Sequence, residues 1–351
     1  MSAETPIAVR PSARPRFRLT RRAALGAVTA VFAAPPRAAA ARATEEKDAA
    51  SLAARQSSTS LVVTRDGRIV TEWYAPGWNA ERPREVASVA KSLLSVLIGM
   101  ALEDGAFSGL DQPAADFIPA WGADGRQAIT LRHLMSMTSG LDDSGLALRG
   151  VAGDQFLINA AAPLRDPPGA RWAYNTAAYH LLFHILERAT GRRVADFASD
   201  RLIGPLGMVH TTWITSQGDG AGGPVTNYYS AASTARDLAR FGSMVLNGGV
   251  WQDRRLIARS TLDTLTQPSQ PLNPSYGLLW WSNARAGFDA LGQGDGVRFP
   301  SAPRDTVAAL GAGGQMVLIP PSRRLVLVRQ GNSPPSAKLA DELLATVLQA
   351  G

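Results

Sequence analysis

The stretch Ser88-Val89-Ala90-Lys91-Ser92-Leu93-Leu94-Ser95-Val96-Leu97-Ile98-Gly99 decides how the rest of the chain is read. Its apolar density predicts a long helix from about Ser88 to Asp104, stopped by Gly105. Positions three apart share a helix face, so the Lys91 ammonium falls beside the Ser88 hydroxyl. Ser88 also sits in the first turn, where free amides and the helix dipole favour a developing negative charge. This is a Ser-x-x-Lys arrangement, suited to an activated serine nucleophile. Composition adds weight to Lys91. Among 36 basic residues only Lys47, Lys91 and Lys338 are lysines. Arginine serves wherever a surface cation suffices, but it holds its proton and cannot supply a free base near neutral pH. The motif alone is a modest signal, since 26 serines and three lysines give about 0.2 chance occurrences. The competing reading is a helix N-cap serine with a snorkelling lysine.

Working outward, Ser60–Thr64, Asp66-Gly67 and Arg68–Tyr74 read as a β-hairpin, because Asp-Gly suits a tight turn between β-rich runs. Residues 44–58 read as a short helix docking the start of the mature chain. Residues 110–270 are mostly helical in pattern, clearest over Thr130–Met137, Thr176–Thr190, Val194–Leu202 and Ser233–Leu246, with Gly218–Gly223 as a loop. Tyr276–Trp281 reads as a strand. Gly314–Ile319 and Arg324–Arg329, joined at Pro320-Pro321-Ser322, read as a second hairpin, and Ser336–Gln349 as a closing amphipathic helix. The expected fold class is therefore α+β. Its antiparallel sheet is built from both chain ends and flanked by terminal helices, with a mostly helical domain inserted at about 110–270.

Other clusters carry weaker signals. His180 and His184 lie four apart on one helix, a spacing that can hold a metal, but no third ligand and no intervening glutamate are evident. They read as packing histidines, and no metal or organic cofactor is expected. Asp142-Asp143 follows Thr138-Ser139-Gly140 and reads as a solvated turn or as a partner for a substrate amine. Trp280-Trp281 suits either core or cleft wall. No Gly-x-Ser-x-Gly, Ser-Asp-Asn or Lys-Thr-Gly occurs, which disfavours an α/β-hydrolase or a class A β-lactamase. The chain has no cysteine, so disulfides, thiolate metal sites and a cysteine nucleophile are excluded.

The order of segments resembles the serine β-lactamase-like superfamily: class C β-lactamases, D-alanyl-D-alanine carboxypeptidases, related esterases and 6-aminohexanoate-dimer hydrolases. The segments are Ser88-x-x-Lys91 after an N-terminal hairpin, Thr130–Leu141, Arg171–Tyr179 opening a helix, Ser233–Gly242, Tyr276–Trp281, and Ala309–Gln315 leading into the last hairpin. The resemblance runs from about residue 58 to 349. It implies that Ser88 is acylated, that Lys91 lowers the cost of deprotonating it, and that Tyr174 matches the tyrosine of a Tyr-x-Asn motif that shuttles the proton. Two positions depart. Thr176 stands where the pattern has asparagine, with Asn175 one place early, and either is a candidate to donate a hydrogen bond to Lys91 or to substrate. Ala312-Gly313-Gly314 stands where relatives carry Lys-Thr-Gly or His-x-Gly. The resemblance further implies that Gly313 and Gly314 let the acyl group lie against the strand edge. It pairs the Gln315 and Ser88 amides as an oxyanion hole. No cation stands in this motif to clamp a carboxylate; Arg298 and Arg304 are the nearby substitutes in sequence.

Charge and the leader complete the reading. The net charge is +7, and residues 1–43, with eight arginines against Glu4, account for all of it. The remaining chain is neutral, so no nucleic-acid footprint is expected. Thr20-Arg21-Arg22, the apolar run Ala23–Ala34 and alanine-rich cleavage sites near residues 38–43 read as a twin-arginine-type export signal over 1–43. The mature 44–351 hydrolase domain is expected to be periplasmic or secreted, with no membrane span. The expected activity is cleavage of carboxylic esters or small amides through an acyl-enzyme on Ser88. The alternatives are a β-lactamase or D-alanyl-D-alanine carboxypeptidase with the same nucleophile, and a non-catalytic binding protein on this fold.

Overall fold

The computed structural model describes residues 48–146, 152–294, 296–333 and 337–349. The leader over 1–43, the first residues of the expected N-terminal helix and Ser336 lie outside the described residues.

Both chain ends contribute to one antiparallel sheet. Helix α1 spans residues 48–55. Strands β1 (Ser58–Arg65) and β2 (Arg68–Tyr74) form the expected hairpin, with Asp66 (φ +50°) and Gly67 (φ +77°) in its turn. After the short strand β3 (Arg84–Glu85) comes α2 (Val89–Glu103), buried from Val89 through Ala101. The middle of the chain carries α3 (Leu131–Met135), α4 (Gln155–Ala160), α5 (Thr176–Thr190), α6 (Val194–Ala198) and α7 (Gly204–Leu206). Strands β4 (Thr212–Gly220) and β5 (Gly223–Ser233) follow, then α8 (Ala235–Leu246), the small pair β6 (Val250–Trp251) and β7 (Arg254–Arg255), and α9 (Arg259–Thr266). The chain closes with β8 (Trp281–Ser282), β9 (Val307–Gly311), β10 (Gln315–Ile319), β11 (Leu325–Gly331) and α10 (Ala337–Leu348).

The six-stranded sheet runs β2-β1-β11-β10-β9-β8, so the first long strand pairs with the last, Val62 opposite Val328. Long-range pairing of this kind is what encloses the inserted middle of the chain. Helix α8 packs on the sheet through Gly242, where an added Cβ would come within 2.5 Å of Val326. A second sheet, β3-β5-β4, also packs on α2 through β5.

Three expectations change. Gly218–Gly223 is not a plain loop: its glycines form the tip of the β4–β5 hairpin. Gly218 passes so close to Gly153 that a Cβ would sit 2.1 Å from its carbonyl oxygen. The insertion is thus helical plus a long hairpin. Tyr276–Trp281 is a tight turn rather than a strand. Leu279 has φ +64°, Tyr276 and Trp281 meet across an isolated bridge, and only Trp281–Ser282 pairs with β9. Val194–Leu202 leaves α6 at Ala198 and continues as a π-type turn over Ser199–Ile203. Among the described residues, no helix is long and apolar enough to cross a membrane.

Candidate active site

Ser88 is positioned from both sides of the chain. Upstream, β3 pairs with the end of β5, and the Val86 amide donates to the Ala231 carbonyl at 2.8 Å. Ala87 then takes a left-handed conformation (φ +47°), which costs a non-glycine residue about 1–3 kcal/mol. The buried Ser230 hydroxyl donates to its carbonyl at 3.1 Å and helps hold it there. Downstream, Ser88 is the N-cap of α2, yet its hydroxyl makes no capping bond and stays available for chemistry. No acidic residue occupies the first turn of α2. The positive end of the helix dipole is therefore uncompensated beneath the point where an oxyanion would form.

Lys91 is 4% exposed, and its Nζ donates to Ser88 Oγ at 3.2 Å. It lies over two tyrosine rings, 5.0 Å from the centroid of Tyr174 and 4.2 Å from that of Tyr179. Buried ammonium groups need such faces and hydrogen bonds to offset lost hydration. This is a lysine fixed in a slot, not a snorkelling one. Tyr174 lines the same cleft with its hydroxyl near that of Ser88, so the structure brings Ser88, Lys91 and Tyr174 together. Burial pushes the Tyr174 hydroxyl up to about 12, against the opposing pull of the Ser88 hydrogen bond and the Arg298 charge. Tyr174 is therefore a neutral hydroxyl at pH 7.

The other serines of the opening stretch also have work to do. Ser92 and Ser95 donate to the carbonyls of Leu279 and Leu278 at 2.8 and 2.6 Å, fastening the 276–281 turn onto α2. That turn divides the tryptophan pair. Trp280 is fully buried and stacked on Phe241, whereas Trp281 stacks on Tyr174 at 6.1 Å and 10° and lines the cleft. Arg298 lies over the outer part of this wall, its Cζ 3.7 Å from the Trp281 ring centroid and one Nη donating to the Phe288 carbonyl. Burial lowers Arg298 to about 10, which leaves it charged at neutral pH. Arg304 is exposed and does not line the cleft. The cleft has a volume of about 380 Å³, and its walls are mainly apolar: Trp281, Leu310, Met316 and Leu291 among them.

The sheet supplies the remaining wall, through Gly311, Ala312, Gly314 and Gln315. Strand β9 comes closest to the Ser88 backbone. A Cβ on Gly311 would lie 3.0 Å from the Ser88 nitrogen and 2.4 Å from the Val86 oxygen. Gln315 pairs with Gly311 from the next strand over, and its side chain turns to the backbone of Gly331, at 2.7 and 3.2 Å. Gly313 and Gly314 both have positive φ, +76° and +71°, in the tight β9–β10 turn.

Asn175 and Thr176 do not reach the cleft lining. Asn175 is 3% exposed and caps α5: its Oδ1 accepts from the Ala178 amide and its Nδ2 donates to the Leu141 carbonyl. The Thr176 amide donates to Asp143 Oδ2 at 2.7 Å. Asp143, expected in a solvated turn or at a substrate amine, is thus a carboxylate at the positive end of α5. Asp142 remains in a polar turn with Ser144. These caps fix the start of α5 and with it Tyr174. His180 packs against Tyr179 and Tyr229, and His184 against Phe156 and Glu187. No group of three or more metal-ligating side chains occurs among the described residues.

Ser88 and Lys91 at the head of one buried helix, with Tyr174 close by and a sheet edge alongside, lie in an α+β fold of the β-lactamase-like kind. Comparison with known proteins narrows this by one step. The family described as Beta-lactamase matches residues 40–351, and the chain belongs to that family. It is similar to the 6-aminohexanoate-dimer hydrolase of Paenarthrobacter ureafaciens, 24% identical over 59% of this chain and 56% of that protein. It is also similar to esterase EstB of Burkholderia gladioli, 29% identical over 38% of each chain. In three dimensions it resembles D-alanine carboxypeptidase AmpC from Burkholderia cenocepacia, with a TM-score of 0.68 and 20% identity, covering 90% of this chain and all of that one.

Proposed function

We propose that this protein hydrolyses carboxylic esters or small amides through an acyl-enzyme on Ser88. The observation that carries the reading is the hydroxyl of Ser88, 3.2 Å from Lys91 Nζ and near that of Tyr174, in the lining of an apolar cleft. Ser88 Oγ attacks the substrate carbonyl as its proton passes to the Tyr174 oxygen, and Tyr174 hands its own proton to the leaving group. A neutral tyrosine suits such a relay, and the Lys91 ammonium steadies the transient phenolate character. Water then attacks the acyl-enzyme through the same relay in reverse. For the oxyanion we assign the amides of Ser88 and Ala312 rather than Gln315, because Gly311 is the residue packed against the nucleophile's backbone.

Strand β9 offers Ala308, Ala309 and Leu310 ahead of Gly311 and no cation, which favours uncharged esters. One observation supports the second reading, a β-lactamase or D-alanyl-D-alanine carboxypeptidase: Arg298 puts a cation on the cleft wall where a substrate carboxylate would find it. A panel of p-nitrophenyl esters, a chromogenic cephalosporin and a linear amide separates the two, with Ser88→Ala as blank. Higher kcat/KM for short-chain esters is expected, and a preference for the cephalosporin would overturn the ester reading. Export by the twin-arginine route belongs to the same proposal. Replacing Arg21 and Arg22 by lysine should leave precursor in the cytoplasm, and unchanged export would contradict it.

A further inference from the structure

The β9–β10 turn that walls the cleft is held from behind by one arginine. Arg329 lies in β11 and is fully buried, and among the described residues it has no carboxylate partner. Its guanidinium serves four oxygens. One Nη donates to the carbonyls of Gly313 and Gly314, at 3.0 and 2.7 Å, and the other to the Gln56 carbonyl at 2.6 Å. Its Nε donates to Ser58 Oγ at 2.9 Å. Glycines leave the slot it occupies. A Cβ on Gly314 would sit 2.1 Å from one Nη, and a Cβ on Gly331 would sit 2.4 Å from the other. The turn's two left-handed glycines have little conformational preference of their own, so their carbonyl directions are set by what they bind. The rigid fork of a guanidinium binds both at once while anchored on β1 and the chain before it. An ammonium cannot span that set of oxygens.

We propose that Arg329 is a positioning residue for acyl transfer: it fixes the Ala312–Gly314 turn so that the Ala312 amide faces the carbonyl attacked by Ser88. The inference rests on the reading of Ser88 as nucleophile. A donor displaced by a fraction of an ångström harms the transition state more than the ground state, so kcat should fall and KM should stay nearly level.

The test compares Arg329→Lys, Arg329→Ala, Ser58→Ala and Gly331→Ala with the parent protein on a p-nitrophenyl ester, with near-ultraviolet circular dichroism as the fold check. Arg329→Lys and Arg329→Ala should lose about 10- to 10²-fold in kcat with KM within about threefold. Millimolar guanidinium should restore part of kcat in Arg329→Ala and none in Arg329→Lys or the parent. Ser58→Ala, which loosens one anchor of the guanidinium and leaves its bonds to the turn in place, should lose less kcat than either Arg329 variant. Wild-type kcat in both Arg329 variants overturns the proposal. So does a loss that merely tracks the unfolded fraction without guanidinium rescue. Should neither Arg329 variant fold, Gly331→Ala decides, because its methyl group would sit 2.4 Å from the guanidinium and push it off the turn, while Gly331 itself is neither left-handed nor part of the cleft lining: lowered kcat at constant KM supports the role, and unchanged kcat overturns it. Failure of the nucleophile reading is separate, and would appear as an unlabelled Ser88 in the parent protein.

Discussion

Gly311→Ala is a one-carbon change whose effect can be worked from distances. The backbone at Gly311 is extended (φ −137°, ψ 157°), a conformation alanine adopts freely, so the cost is steric alone. The new Cβ would lie 2.4 Å from the Val86 oxygen, 3.0 Å from the Ser88 nitrogen and 3.2 Å from the Ala87 Cβ. Real Cβ atoms do not approach within 3.0 Å, so strand and nucleophile turn must part by at least 0.6 Å. Neither side yields easily. The first contact is backbone, and the Val86 carbonyl also accepts the Val89 amide of α2 at 3.1 Å. Overpacking of this kind costs about 1–3 kcal/mol, and a misplacement approaching 1 Å at the reacting centre costs about 10²-fold in rate. The expected outcome is a folded protein, a few degrees less stable, with kcat down about 10- to 10²-fold on a p-nitrophenyl ester. Single-turnover kinetics should place the loss in acylation. Wild-type acylation with an unchanged melting temperature would refute the placement of β9 against Ser88.

Lys91→Arg must fit a larger planar group between Ser88 and the Tyr174 and Tyr179 rings, so both kcat and melting temperature should fall, kcat by at least about 10²-fold. Lys91→Ala, measured alongside, separates lost charge from misfit, and near-wild-type turnover in Lys91→Arg would refute a part in proton transfer. Tyr174→Phe should lose about 10²–10⁴-fold in kcat, read as the ester steady-state rate. Because burial raises the folded-state value of Tyr174 above its ordinary value of 10.0, the stability it contributes is complete below pH 10 and is lost as pH rises towards about 12. Difference absorbance of parent minus Tyr174→Phe should therefore show no phenolate at pH 7–9, and a phenolate there would contradict the relay through a neutral hydroxyl.

Much of the framework was legible in local pattern. The Ser88–Lys91 spacing, the Asp66-Gly67 turn and the apolar runs at both chain ends follow from periodicity and turn chemistry, which act over a few residues. The β4–β5 hairpin was not. Its glycine-rich tip reads as a loop, and only the close approach of Gly218 to Gly153 explains why glycine is needed in a strand. Leu279 reads as strand by composition, but three hydrogen bonds to distant parts hold its turn left-handed: its amide to Met135, and Ser92 and Ser95 to the 278–279 carbonyls. The same limit applied at the site. Tyr174 stands out in the sequence because it opens a helix at a recognisable motif. The parts played by Asp143, Arg298 and Arg329 depend on interactions across 33, about 120 and 271 residues respectively (with Thr176, Tyr174 and Ser58), which no window of sequence contains. An arginine in a chain with 33 of them carries no local mark that it is buried.

The central claim is that Ser88 forms the covalent intermediate. Treating the folded protein with a fluorophosphonate probe, then digesting and mapping the adduct by mass spectrometry, tests it directly. One modified site is predicted, on the peptide containing Ser88, absent in Ser88→Ala and slowed in Lys91→Arg. A folded protein that takes no label, or takes it on another serine, would contradict the account.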